Sequence, residues 1–336
     1  MNPVDALAKF LPPGRQLVSA LVAALVLAAI PLFPSVVSPY QAYLLSTGLT
    51  YAIAGLGFNL LLGYTGLLSF GHAAYFGMGA YAVAFLVKWF GVNSMEAFLV
   101  AGVLAAGLIS MLFGFVCVRY TRIFFSILAL ALAQVLWSLM LKFYWFTGGT
   151  DGLRVPTPVL LGGLFPAAED KTEFLGGPYY YYTLVAFFVA VAVMWLIVHS
   201  PFGKALQAIR DNETRAAFVG VQVRRYRWIA FVVSGAFTGL AGALWVPANG
   251  LITPDFLYWT FSGKIVFFAV LGGFRTFAGP IIGAVVFNYL EYLAVALTVY
   301  WQFWEGLILV VFVLALPTGI VGTVGRWGTR LRRAPA

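Results

Sequence analysis

Ser69 and His72 stand three residues apart in the stretch GYTGLLSFGHAAYFGMGAY, residues 63–81. A hydroxyl nucleophile needs a base within hydrogen-bond reach, and His72 is the sole candidate base for such a serine. No convergent catalytic cluster accompanies the two, and the other histidine, His199, is far away in the chain. There is no H-E-x-x-H pair, and a lone Cys117 supplies neither a disulfide framework nor a metal set. No G-x-x-x-x-G-K-[ST] loop exists, so the chain cannot cradle nucleotide phosphates in that manner. GLGFNL, residues 55–60, lacks the third glycine of a dinucleotide fingerprint and has no preceding strand.

A second set of chemically able residues lies in otherwise apolar segments. Lys264 and Glu291 are each placed several residues from the outer end of their spans. At ~1.5 Å per helical residue they reach similar depth and can pair. Asn288 shares a helix face with Glu291 by i, i+3 spacing, and Glu305 opens the last span. Charges inside a membrane mark either a pathway or a neutralised structural pair. Gln134, near mid-span, suits interhelical hydrogen bonding.

Those residues must be positioned by membrane helices. The 336-residue chain is 62% apolar, with 20 Lys+Arg and 11 Asp+Glu, far outside the soluble range. Ten stretches meet or approach the length needed to cross ~30 Å of hydrocarbon: 17–33, 42–62, 68–87, 97–118, 123–141, 179–198, 228–246, 257–271, 277–298 and 303–321. Barrel-type alternation is absent, so the fold class is all-α. The expectation is a polytopic membrane bundle of about ten helices, one domain over 1–336, with an uncleaved first helix. With the N-terminus inside, fifteen of the 20 basic residues fall on the cytoplasmic side. The opposite side holds only Lys88, Lys142, Arg154 and Lys171, with the acids Glu96, Asp151, Glu169, Asp170, Glu173 and Asp255, so the positive-inside rule selects this orientation. The formal charge of +9 therefore reflects topology and anionic headgroups, and gives no argument for nucleic acid.

Two connections are long. The external one, 146–178, is rich in Gly and Pro, and its FTGGTDGL reads as a tight turn in which Asp151 bonds its own backbone. The internal one, 199–227, reads as a surface helix with Ser200 as N-cap and Pro201 in the first turn. Phe202, Ala205, Leu206 and Ile209 form an apolar ridge, with Asp211 and Asn212 breaking or re-capping the helix and Gly220 ending it. Such a ridge can rest on the membrane surface or dock into a groove on a partner. Two glycine-rich junctions, 61–81 and 270–287, permit either close helix packing or a broken segment lining a path.

GLGFNLLLGYTGLLSFGHAAYFGMGAY, FTGGTDGL, SPFGKALQAIRDNETRAAFVGV and VLGGFRTFAGPIIGAVVF, in this order, resemble the permease subunits of bacterial branched-chain amino-acid ABC importers. Within that family the likeness is to the longer, LivM-type member, and it runs over about 42–321. The resemblance implies a non-enzymatic transport subunit of the inner membrane that binds no cofactor itself. Its implied partners are a second permease of LivH type, two cytoplasmic ATP-binding subunits and a periplasmic substrate-binding protein. It implies a translocation core at Asn59, Gly63, Gly66, Ser69, Gly71 and His72, to which the intramembrane polar residues Lys264, Asn288 and Glu291 add further path candidates read from the sequence itself. It implies an ATPase-coupling loop carrying Phe202, Gly203, Ala205, Leu206, Ile209, Arg210, Asp211, Glu213, Ala216 and Gly220. Importers of urea and short amides use similar permeases. An autonomous secondary carrier is the rival from a different class, although carboxylates close to mid-span are absent here.

Overall fold

The computed structural model describes residues 14–29, 31, 38–163 and 171–331. Lys9, the far end of the first expected span, the acidic pair Glu169 and Asp170, and Arg332 and Arg333 lie outside the described residues. Among the described residues the regular structure is helical apart from one two-residue antiparallel pair, β1 (Leu153–Arg154) with β2 (Leu251–Ile252), and an isolated bridge. Its main helices are α1 (Gly14–Ala29), α2 (Pro39–Thr65), α3 (His72–Phe90), α4 (Met95–Cys117), α5 (Arg122–Lys142), α6 (Lys171–Gly176) and α7 (Pro178–His199). They continue as α8 (Pro201–Asp211), α9 (Glu213–Phe218), α10 (Val223–Asn249), α11 (Trp259–Gly272), α12 (Gly279–Leu297), α13 (Trp301–Ala315) and α14 (Gly319–Leu331).

Local chemistry sets several ends. Ser38 and Gln41 form a reciprocal capping box at the start of α2, with Pro39 in the first turn. The same helix ends on Gly66, whose left-handed φ of 72° lets its N–H reach Leu61. Ser200 accepts from Gly203 N–H and starts α8, and Asn212 accepts from Arg215 N–H and restarts the chain as α9, as expected from the sequence.

Among the described residues, eight helical segments are long and apolar enough to cross a membrane. Ten were expected. The first and eighth expected spans are the shorter helices α1 and α11, of 16 and 14 residues. The eighth expected span, 257–271, is α11 nearly residue for residue and was short in the sequence already; β2 and a 3₁₀ turn, Pro254–Leu257, lead into it and pack against α3. The third expected span starts late: residues 66–71 are not helical, and α3 begins only at His72.

The axle of the bundle is α2, almost wholly buried, with α10, α12 and α7 packed along it. The apolar surface on α2 is no guide to packing in lipid, where backbone approach and interhelical hydrogen bonds decide association. The contacts of α10 follow that rule. A methyl group at Gly79 of α3 would overlap the Gly239 carbonyl of α10, and one at Gly242 would overlap the Phe76 carbonyl. The α11–α12 hairpin closes in the same way, since Gly272 and Gly283 each lie against backbone of the opposing helix. By contrast α13 is peripheral, with Val310, Val311 and Leu314 turned outward.

Gly79→Val should therefore force α3 from α10, an overpacking cost of roughly 1–3 kcal/mol or more. Gly306→Ala, on α13, places its methyl in open space and should be neutral or slightly stabilising. Thermal unfolding of the purified protein in detergent checks the contrast, with a lower midpoint expected for the first variant alone.

Candidate translocation core and coupling joint

The residues 66–71 enter the bundle as non-helical chain, left-handed at Gly66 and closing in a turn at Phe70 and Gly71. The Ser126 hydroxyl of α5 donates to the Leu68 carbonyl at 2.5 Å, and a methyl at Gly71 would lie 2.6 Å from the Ala129 carbonyl. His72 thus starts α3 beside Ser234, which packs level with Ser110 of α4. Ser110 is seven residues from Cys117, so the break lies roughly 10 Å inside the end of α4. From the opposite side, the turn before α11 brings Leu257 against Gly77 and Tyr258 against Trp137. The two helix starts meet: Ala73 N–H donates to the Ser262 hydroxyl at 2.8 Å. Two broken helices, entering from opposite faces, are joined there by a hydrogen bond.

His72 is fully buried between the rings of Phe58 and Tyr75, with centroids at 5.0 and 5.5 Å. Its Nε2 lies 2.8 Å from Ser234 Oγ, and that hydroxyl donates to the Gly57 carbonyl at 2.6 Å. With the serine proton committed to Gly57, Nε2 donates to Ser234, and the imidazole ties α3 to α2 and α10. Ser69 Oγ accepts from Gly71 N–H at 3.4 Å, so the Ser69–His72 pair that a nucleophile would need is not formed. Ser234 and Ser262 were not singled out from the sequence. The small-residue run of α10, Ser234, Gly235, Gly239 and Gly242, is the signal that could have found the first of them.

Asn59, Gly63 and Gly66 belong to a different cluster. Asn59 Nδ2 donates to the Thr276 carbonyl at 3.3 Å in the α11–α12 turn, and Gly63 abuts the Phe274 carbonyl of that turn. From the loop 199–227, Arg210 Nη1 donates to the Gly63 carbonyl at 2.5 Å, and a methyl at Gly66 would lie 3.0 Å from Arg210 Cγ. Asp211 holds the same guanidinium through Nε and Nη2 at 3.1 and 3.0 Å. At the far end of the loop, Glu213 makes a bidentate pair with Arg227 of α10, both bonds 2.8 Å, and Arg227 is buried.

The ridge of α8 faces inward. Leu206 and Ile209 are buried with Gly203, Ala216 and the end of α2 in one apolar cluster, while Phe202 and Ala205 are half-buried. It therefore neither rests on a membrane surface nor offers itself to a partner, because the underside of the bundle supplies the apolar surface it covers. The outward face carries Lys204, Ala208, Arg215 and, at the tip, Phe218 and Val219, which are 85% and 76% exposed ahead of Gly220.

The expected ion pair forms. Lys264 Nζ bonds Glu291 Oε1 and stands 5.6 Å from the Trp301 ring centroid, the two side chains 24% and 21% exposed. Asn288 turns away and donates to the Leu44 carbonyl of α2 at 2.8 Å. Lys264 is two residues from Ser262, about 200° around α11, so the pair and the helix junction occupy opposite faces of that helix. Gln134 does not serve as glue within the chain: its amide nitrogen is buried with no partner among the described residues. Asp151 accepts from Tyr144 O–H at 2.7 Å and does not bond its own backbone; the turn at 148–152 instead sets β1 against β2, which precedes the re-entrant segment.

A chain of apolar helices broken at two buried, hydrogen-bonded points, with a capped two-helix loop on its basic side, has the form of a transport subunit. A family model described as "Branched-chain amino acid transport system / permease component" matches residues 40–316. The chain belongs to that family. It is a multi-pass membrane protein of that permease family. The permease is 29% identical to the high-affinity branched-chain amino acid transport system permease protein LivM of Escherichia coli (strain K12), over 79% of this chain and 66% of that protein. It is 28% identical to the Salmonella typhimurium LivM, over 76% of this chain and 63% of that one. It is 26% identical to the Salmonella typhimurium LivH, over 82% and 92% respectively. The permease thus spans about two thirds of the length of the LivM relatives it matches. No solved structure matches it.

Breaking the Lys264–Glu291 pair from one side strands a largely buried charge, a loss that reaches roughly 3–5 kcal/mol where burial is complete. Lys264→Gln and Glu291→Gln should each lower the unfolding midpoint in detergent, whereas Lys264→Met combined with Glu291→Leu should recover most of the loss. A double-mutant cycle with no coupling between the two sites would remove the pair from the account.

Proposed function

We propose that this permease is one of two transmembrane subunits of an ATP-driven importer that carries branched-chain or other amino acids across the bacterial inner membrane. The reading takes the subunit as LivM-type, in line with its somewhat higher identity to the LivM relatives than to LivH. Its partners are a LivH-type second permease, two cytoplasmic ATP-binding subunits and a periplasmic substrate-binding protein.

The observation that carries the reading is the meeting of two broken helices at Ala73 and Ser262 inside the bundle, above a loop tied to α2 and α10, the helices packed against them. Alternating access needs two packings close in energy. Glycine backbones sliding at van der Waals contact, with few interdigitating side chains to break, supply such a pair. Nucleotide chemistry resides in the ATPases, consistent with the lack of a phosphate-binding loop in this chain. The ATPase meets the outward face of the α8–α9 loop, where exposed Phe218 and Val219 form an apolar tip flanked by Arg215 and Lys204.

Purification of the tagged chain from its native membrane in mild detergent, with mass spectrometry of stoichiometric companions, tests the assignment. Recovery of a second permease and P-loop ATPases is the expected result, followed by ATP-dependent uptake of labelled leucine, isoleucine or valine in proteoliposomes. Recovery of this chain alone in a state that still moves solute would replace the importer with a secondary carrier. Phe218→Asp should sharply reduce the ATPase recovered while leaving the permease pair intact, and an unchanged yield of ATPase would clear the tip of that role.

A further inference from the structure

The importer reading leaves open how a displacement of the loop 199–227 reaches the break at residues 66–71. α8 and the α11–α12 turn both meet α2 at Gly63, and α8 bonds the backbone carbonyl of that residue. It lies in the last turn of α2, where carbonyls have lost their intrahelical donors and the helix dipole places partial negative charge. The Gly66 and Leu67 N–H groups both return to Leu61, which leaves Gly63 to be satisfied from elsewhere. Arg210 supplies the donor across 147 residues of sequence, and its stem lies on Gly66, the residue at which α2 turns into the non-helical segment. Phe274, in the α11–α12 turn, presses on the same glycine, and Asn59 reaches that turn one helical turn earlier.

Resting on the importer reading above, we propose that Arg210 is the positioning residue through which the loop drives α2 and the broken start of α3. The guanidinium is a two-sided coupling. Asp211 fixes it to α8, and the charge-assisted bond to Gly63 fixes it to the end of α2. The loop itself moves as a unit, since Leu206, Ile209 and Ala216 share one apolar cluster and the Glu213–Arg227 pair locks α9 to α10. One displacement of α8 and α9 is therefore delivered to α10 through Arg227 and to α2 through Arg210, whose directional bond fixes the end of that helix on top of the apolar ridge contact. Gly63 and Gly66 admit no side chain because the Phe274 carbonyl and the Arg210 stem occupy that space. The joint also keeps a buried acceptor, Asn59 Oδ1, with no donor among the described residues. An unsatisfied acceptor at this point gives a second arrangement of the joint something to gain.

The test uses the assembled complex, purified from native membranes and reconstituted in proteoliposomes, with Arg210→Ala, Arg210→Lys and, as a control on the exposed face of α8, Lys204→Ala. Assembly is read as ATPase recovered per permease, and coupling as leucine moved per ATP hydrolysed. A hydrogen bond to a charged group is large enough that its loss shifts an equilibrium by about tenfold. Arg210→Ala should assemble normally and keep hydrolysing ATP, while leucine moved per ATP falls about tenfold. Arg210→Lys, which retains charge and one donor, should fall less, and Lys204→Ala should match the unaltered complex. Wild-type coupling in Arg210→Ala overturns the proposal. So does a loss in both Arg210 variants that tracks lost assembly, which would make Arg210 a docking contact. Failure of the unaltered chain to bring down any ATPase would instead strike the importer reading itself.

Discussion

Any backbone group that enters hydrocarbon must be satisfied inside the protein, and the rest of this structure depends on how that constraint is met at two places where the helix stops. Residues 66–71 and 250–258 lie between helices and not within them, yet both descend among the spans. Ser126 of α5 meets the Leu68 carbonyl of the first, and Ser262, in the first turn of the helix that follows the second, meets the Ala73 N–H left open at the start of α3. A lipid-exposed version of either segment would be untenable. Both accordingly turn residues inward, Leu67, Ser69 and Gly71 in the first and Ile252, Pro254 and Leu257 in the second, among the neighbouring helices.

Glycine makes the burial feasible. Serine hydroxyls can reach backbone on another helix only where the axes come close, and α10 approaches α2, α3 and α4 through Ser234, Gly235, Gly239 and Gly242. His72 then closes the centre. Its ring, held by two aromatic edges, passes a hydrogen bond to Ser234 and through it to Gly57, so that three helices share one chain of polar contacts. The residue whose chemistry first suggested catalysis is in this way a structural tie. In a low-dielectric interior such a tie is stiff while it is satisfied and costly when it is broken, as suits the centre of a two-state bundle.

The loop on the basic side repeats the logic with charge. Its helices are capped locally, its apolar ridge is spent on the underside of the bundle, and two arginines bind it at opposite ends. Only its tip remains apolar and uncovered. The Lys264–Glu291 pair is separate from both features, on the other face of α11, where two half-buried charges neutralise each other near the membrane exterior.

Much of this was written in the chain order. Hydropathy located the spans, charge gave the basic side, Ser200, Pro201 and Asn212 announced the loop helices, and helical rise placed Lys264 level with Glu291. These are short-range properties, set by a residue and its neighbours within a few turns. Which way a helix faces is not of that kind. An apolar ridge on α8 reads the same whether a partner, a lipid surface or its own bundle covers it. A glycine pair likewise reads the same for packing and for a break. The tertiary structure turned Leu206 and Ile209 inward, joined the starts of α3 and α11 through Ser262, gave His72 to Ser234 rather than Ser69, and set Arg210 on Gly63. Each of these joins residues more than a hundred positions apart or depends on the rotation of one helix against another, and that is decided by the packing of the whole bundle.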